Sequence, residues 1–192
     1  MKTLKLFLLI SSIVYSTVAS GLHVSGVSID ETIVLGPGKS KLVLQGAGVR
    51  SKLFIDVYVG ALYTKKPVST PEQAVAQAGA KRMQMIFLYD GVTQSKLQKT
   101  WLEGIKANNS RNDYQKFEKQ IEWFVSLFDQ NMKPGDKVVI DYIPALGTKV
   151  EINGEEKGRV IDKGFYPLVL NTWMGNKPPS KKFRKELLTF EG

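Results

Sequence analysis

The chain has 192 residues, with 27 Lys and Arg against 18 Asp and Glu, a formal charge of +9, one His and no Cys. That length suits one domain with a substantial core, and the missing Cys excludes disulfides, thiol catalysis and Cys-based metal sites. The single His23 cannot supply a zinc site or a Ser-His-Asp triad, and dispersed cations without an aromatic-basic motif argue against a nucleic-acid partner.

At the N-terminus, Lys2 and Lys5 precede an apolar run over residues 6–14, and small residues lead to Ser20 before Gly21. This order predicts a removable secretory signal over residues 1–20 and one domain over residues 21–192. The product is then exported, and periplasmic in a Gram-negative host. The apolar run falls short of the ~20 residues that span a bilayer, so no transmembrane segment is expected in the mature protein.

Residues 32–35 and 41–44 read as strands around the turn Gly36-Pro37-Gly38. Residues 53–63 read as one unbroken strand, apolar on both faces and hence central. Asp56 on such a strand is either a satisfied buried carboxylate or one that lines a cavity. On an unbroken strand Arg50 stands ~20 Å from it, beyond ion pairing. Thr70-Pro71 starts a short helix that ends at Gly79, and residues 83–89 form a further strand. Thr93 opens a helix with Leu97, Trp101 and Ile105 on one side. Asn108-Asn109-Ser110 interrupts it, and a longer helix follows to about Phe128, where Tyr114, Phe117, Ile121, Phe124 and Phe128 form a core stripe. Pro134-Gly135-Asp136 turns into a strand over residues 137–143. Asn153-Gly154 carries the signature of a type I′ hairpin between residues 149–152 and 157–161. Two helices, over residues 165–174 and 180–188, close the chain. Strands, helices, strands and helices in that order predict an α+β domain, an antiparallel sheet with helices on one face.

No nucleophile elbow, P-loop, HExxH or calcium loop occurs. Residues 45–50, QGAGVR, lead into a strand, so they lack the helix N-terminus that a dinucleotide fingerprint requires. They offer close backbone packing at two glycines and then a guanidinium, Arg50.

The run GAGVRSKLFIDVYVGALY resembles the segment of the form GAGVR…KF…VY in the chalcone isomerase family. The stretches MIFLYDGVTQSKLQKTWLEGIKAN, IEWFVSLFDQNMKPGDKVVIDYIPALGTKVEING and FYPLVLNTWMGNKP resemble further family segments in order. The likeness is greatest to its bacterial, exported branch and covers nearly the whole mature chain. It implies an open-faced β-sandwich: a large antiparallel sheet covered by a layer of helices, with a ligand cleft between them. In the plant enzymes an Arg orients the phenolate while Thr, Tyr and Asn organise water and the ketone. Arg50 matches the Arg. Leu53 falls at the Thr, Gln94 at the Tyr, Trp101 at the Asn, and Tyr166 at a Ser or Thr near the C-terminal helix. Leu and Trp cannot replace the Thr and Asn donors that cyclisation needs, so no catalytic residue is assigned.

The resemblance thus implies a small amphipathic anionic ligand, such as a fatty acid, with its carboxylate on Arg50 and Leu53, Gln94, Trp101 and Tyr166 around it. Two alternatives stand beside it: a haem or other tetrapyrrole, with Tyr or Met as axial ligand, and an isomerase acting on an unknown enone. No other cofactor is expected, and the sequence leaves the oligomeric state open.

Overall fold

The computed structural model describes residues 21–190. The segment read as an export signal lies outside that span. Nine strands and six helices are described: β1 (Gly21–Val24), β2 (Val27–Asp30), β3 (Thr32–Leu35), β4 (Ser40–Lys52), β5 (Ile55–Thr64), α1 (Pro71–Ala76), β6 (Lys81–Phe87), α2 (Gln94–Asn108), α3 (Arg111–Lys116), α4 (Glu118–Ser126), β7 (Lys137–Ile143), β8 (Gly147–Ile152), β9 (Glu155–Val160), α5 (Phe165–Met174) and α6 (Lys181–Glu186). Strands β3 to β9 form one antiparallel sheet in which every strand pairs with its sequence neighbours, and β1–β2 is a separate hairpin.

Side chains alternate across the sheet, so each strand feeds two clusters. One face carries Leu62, Met83, Met85, Phe87, Val138, Ile140, Val150 and Ile152 against α2, α4, α5 and α6. Burial of each large apolar side chain there contributes ~1.5–3 kcal/mol. The other face carries Leu42, Leu44, Val59, Ala61 and Tyr63 against Ile29 of the β1–β2 hairpin. This is the open-faced sandwich, a large antiparallel sheet with a helical layer.

Side-chain caps hold the helix starts where hydroxyls can satisfy free amides. Thr70 accepts from the Gln73 amide at 3.2 Å, Thr93 from Lys96 at 3.4 Å and Ser180 from Phe183 at 3.2 Å. Asn108 and Asn109, which interrupt the helical pattern, clamp helices together. Asn108 Nδ2 donates to the Lys177 carbonyl and Asn109 Nδ2 to the Leu168 carbonyl, both at 2.9 Å.

Four readings need correction. The strand over residues 53–63 is not unbroken: Leu53 and Phe54 are the two central residues of a turn joining β4 to β5. Asp56 is therefore neither buried nor in a cavity; it is exposed and accepts from the Ser51 hydroxyl at 2.6 Å. The hairpin also brings Arg50 opposite Tyr58 and Ser51 opposite Asp56, so Arg50 and Asp56 are cross-strand neighbours instead of the two ends of one strand. Finally, the long helix breaks at Phe117, which is buried 6.0 Å from the Phe165 ring between α3 and α4.

Candidate functional site

Along β4 and β5, the residues facing the helices run Gly46, Gly48, Arg50 and Tyr58, Gly60, Leu62. The glycines let α6 rest directly on the sheet. A Cβ on Gly46 would collide with the Glu186 carbonyl and lie 2.7 Å from the Leu187 carbonyl carbon. A Cβ on Gly60 would lie 2.5 Å from the Phe183 ring. Beyond the glycines the strands carry large side chains instead, and the helices meet Tyr58 through the side chains of Trp173 and Phe183.

A cleft of about 370 Å³ opens in that place, between the β4–β5 hairpin end and helices α2 and α5. The volume suits a small organic ligand, for which ~300–1,000 Å³ is usual. Its apolar walls include Leu53, Ile55, Met85, Phe87, Leu97, Trp101 and Trp173. Arg50, Lys52 and Lys96 are its charged residues, and no carboxylate among the described residues lines it. The Arg50 guanidinium donates to the Ser51 carbonyl and has no ion-pair partner among the described residues.

Opposite Arg50, the Tyr58 hydroxyl accepts from Trp173 Nε1 at 2.9 Å. Desolvation pushes the phenol up to about 12, against the opposing effects of the Trp173 hydrogen bond and the Arg50 charge. Tyr58 is therefore a neutral hydroxyl at physiological pH, and no proton acceptor for neutral-pH chemistry. Its ring packs 5.7 Å from both Phe87 and Phe183. Trp101 on α2 is wedged between Phe124 at 5.0 Å, Phe128 at 5.2 Å and Trp173 at 5.3 Å, so the wall is rigid. The Trp101 indole N–H and the Thr172 hydroxyl, both on residues of this wall, are buried without hydrogen-bond partners among the described residues.

The predicted site residues separate into two groups. Arg50, Leu53 and Trp101 line the cleft. Gln94 does not: it is exposed at the start of α2, where its backbone N–H donates to Asn131 Oδ1 at 2.9 Å. Tyr166 does not either, being buried 5.7 Å from the Tyr142 ring. Lys52, Tyr58, Lys96, Thr172 and Trp173 line the cleft without having been singled out. The signal for the first two was the turn at Leu53-Phe54, since only a hairpin places Arg50 beside Tyr58. His23 sits on the β1–β2 hairpin, bonded to Ser28 at 3.0 Å, and is not among the cleft residues. No cluster of His, Cys, Asp and Glu suited to a metal ion occurs among the described residues. No described helix is long and apolar enough to cross a membrane.

The chemistry this arrangement can perform is anchoring. A cationic mouth and an apolar interior suit an anion with a hydrocarbon body.

Comparison with known proteins agrees with this architecture. Residues 21–189 match the sequence profile of a family described as chalcone isomerase-like. No curated protein sequence matches the chain. Among solved structures, the chain is similar to the fatty-acid binding protein AtFAP1 of Arabidopsis thaliana. The TM-score is 0.59 at 19% sequence identity, over 85% of this chain and 92% of that one.

Proposed function

Since the chain belongs to the chalcone isomerase-like family, we propose that it is a non-catalytic, exported carrier of a fatty acid or a similar anionic amphiphile. The observation that carries this reading is Arg50, a guanidinium without a carboxylate partner at the mouth of an apolar cleft. The carboxylate pairs with Arg50, assisted by the charges of Lys52 and Lys96. The chain lies against Met85, Leu97 and Trp101. The similarity in fold to a plant fatty-acid binding protein supports the reading.

The test is calorimetric titration of palmitate into protein recovered from the exported fraction, whose first residue is expected to be Gly21. Retention of Met1 there would overturn export. Arg50→Ala is expected to weaken palmitate about 10- to 100-fold, the value of a charge-assisted hydrogen bond. Hexadecanol, which lacks the charge, should bind both forms alike. Equal palmitate affinity in the two proteins would overturn the carrier reading.

A further inference from the structure

Seven large hydrophobic residues are exposed among the described residues; three of them, Leu53, Ile55 and Tyr89, line the cleft, and a fourth, Phe54, stands between the first two in the chain. Leu53 is 82% exposed, Phe54 104%, Ile55 42% and Tyr89 37%. The first three are consecutive at the tip of the β4–β5 hairpin. Packing does not explain them, because a fully exposed Phe54 contributes nothing to the core.

Backbone geometry does not explain them either. Leu53 and Phe54 have φ of 49° and 68°. That left-handed region costs a residue with a side chain ~1–2 kcal/mol. The β8–β9 hairpin makes the same kind of turn with Asn153 and Gly154, at φ of 52° and 85°. Folding alone would favour Asn-Gly at both tips. Two bulky apolar residues held in a strained turn point to a role outside the fold.

The surroundings identify what they meet. Arg50 and Lys52 flank the tip on β4, Lys96 stands across the cleft mouth, and the hairpin's acid, Asp56, is held by Ser51. Three cations against the hairpin's one acid leave the apolar point in a net positive surround, which matches an anionic bilayer surface, where acyl chains receive the rings and headgroups the ammonium and guanidinium groups. The tip is too narrow to supply the ~800 Å² per partner of a standard protein interface.

We propose that the β4–β5 hairpin tip docks on anionic phospholipid, inserting Phe54 and Leu53 and turning the cleft mouth toward the bilayer. The docking stands independently; only the purpose of turning the mouth toward the bilayer rests on the carrier reading.

The experiment is co-sedimentation of residues 21–192, the span that holds every described strand and helix, with phosphatidylglycerol vesicles and with phosphatidylcholine vesicles. Binding is expected to the anionic vesicles and to fall as salt rises. Phe54→Asn suits a left-handed backbone, and Phe54 is not among the residues that line the cleft. It is expected to lose about tenfold or more in vesicle partitioning, the worth of one buried Phe, with unchanged palmitate affinity. Phe54→Trp should retain binding and shift its fluorescence to the blue on the vesicles. Wild-type protein that ignores the anionic vesicles, or Phe54→Asn that sediments like wild type, would overturn the proposal. So would a concentration-dependent dimer abolished by Phe54→Asn, which would make the tip a contact between copies. A failed Arg50→Ala titration would leave the vesicle comparison untouched, so the two readings fail separately.

Discussion

Gly46, Gly48 and Gly60 face the helical layer at one end of β4 and β5, and Arg50 and Tyr58 face it at the other, with opposite results. Where the side chain is a hydrogen atom, α6 descends to backbone contact and buries Phe183 and Leu187 completely. Where the strands carry a guanidinium and a phenol, α5 and α6 reach the phenol through the side chains of Trp173 and Phe183, and a cleft remains beside it. The two ends share strands, register and covering layer. Side-chain volume along β4 and β5 therefore decides whether a helix is seated or a ligand space is left.

The contrast can be broken from the seated end. Gly46→Val would drive a side chain into the backbone of residues 186 and 187, which cannot give way as a flexible side-chain end could. A loss of about 3 kcal/mol or more is expected in urea unfolding, the upper range for overpacking. A loss under 1 kcal/mol would show, on the same scale, that α6 is not held by that contact.

At the boundary between the ends, Trp173→Phe removes the indole hydrogen bond to Tyr58 and part of a buried ring. The expected cost is about 2 kcal/mol, combining one hydrogen bond with a small cavity. The unfolding midpoint measures it, and no shift would mean that Tyr58 is positioned by Phe87 and Phe183 alone.

At the open end, Arg50→Ala should alter stability by no more than about 0.5 kcal/mol, as for a surface residue without a buried partner. A larger loss would make Arg50 a structural member of the hairpin and remove the distinction between the two ends.

The seated end was more legible in the sequence than the open one. Gly46 and Gly48 announce close backbone approach by their composition, and Thr70, Thr93 and Ser180 announce helix starts by local hydrogen bonding. Asn153-Gly154 announces its turn because both residues tolerate positive φ. The Leu53-Phe54 turn carries no such sign. Its residues look like strand interior, and the pattern 53–63 alternates smoothly through the point where the chain reverses. Missing that turn put Asp56 inside the protein, separated Arg50 from its hairpin neighbours, and hid Tyr58 and Lys52 as cleft residues. The β1–β2 hairpin was hidden likewise, since Ser25-Gly26 lies between strands of only four residues each. Gln94 and Tyr166 were placed by likeness to a family pattern, and likeness carries no information about a helix's rotation or a side chain's direction.

The sheet's sequential pairing sets an order of assembly. Consecutive strands of the sheet are joined by short turns, except β5 and β6, between which α1 intervenes, and β6 and β7, between which α2, α3 and α4 intervene. The β3–β6 and β7–β9 ribbons can form as local hairpins, while their junction must close the longest loop and bear the largest entropic cost. Across that junction lies the bidentate contact of Arg82 with the fully buried Asp141, at 2.7 and 2.9 Å. Lys149 on β8 gives the buried carboxylate a contact at 3.5 Å within its own ribbon, and the shorter bidentate contact with Arg82 completes its pairing, so the last pairing also disfavours a slipped register. Pulse-labelled amide exchange during refolding should protect the β4–β5 and β8–β9 amides before those between β6 and β7. Simultaneous protection would show a single nucleus spanning both ribbons.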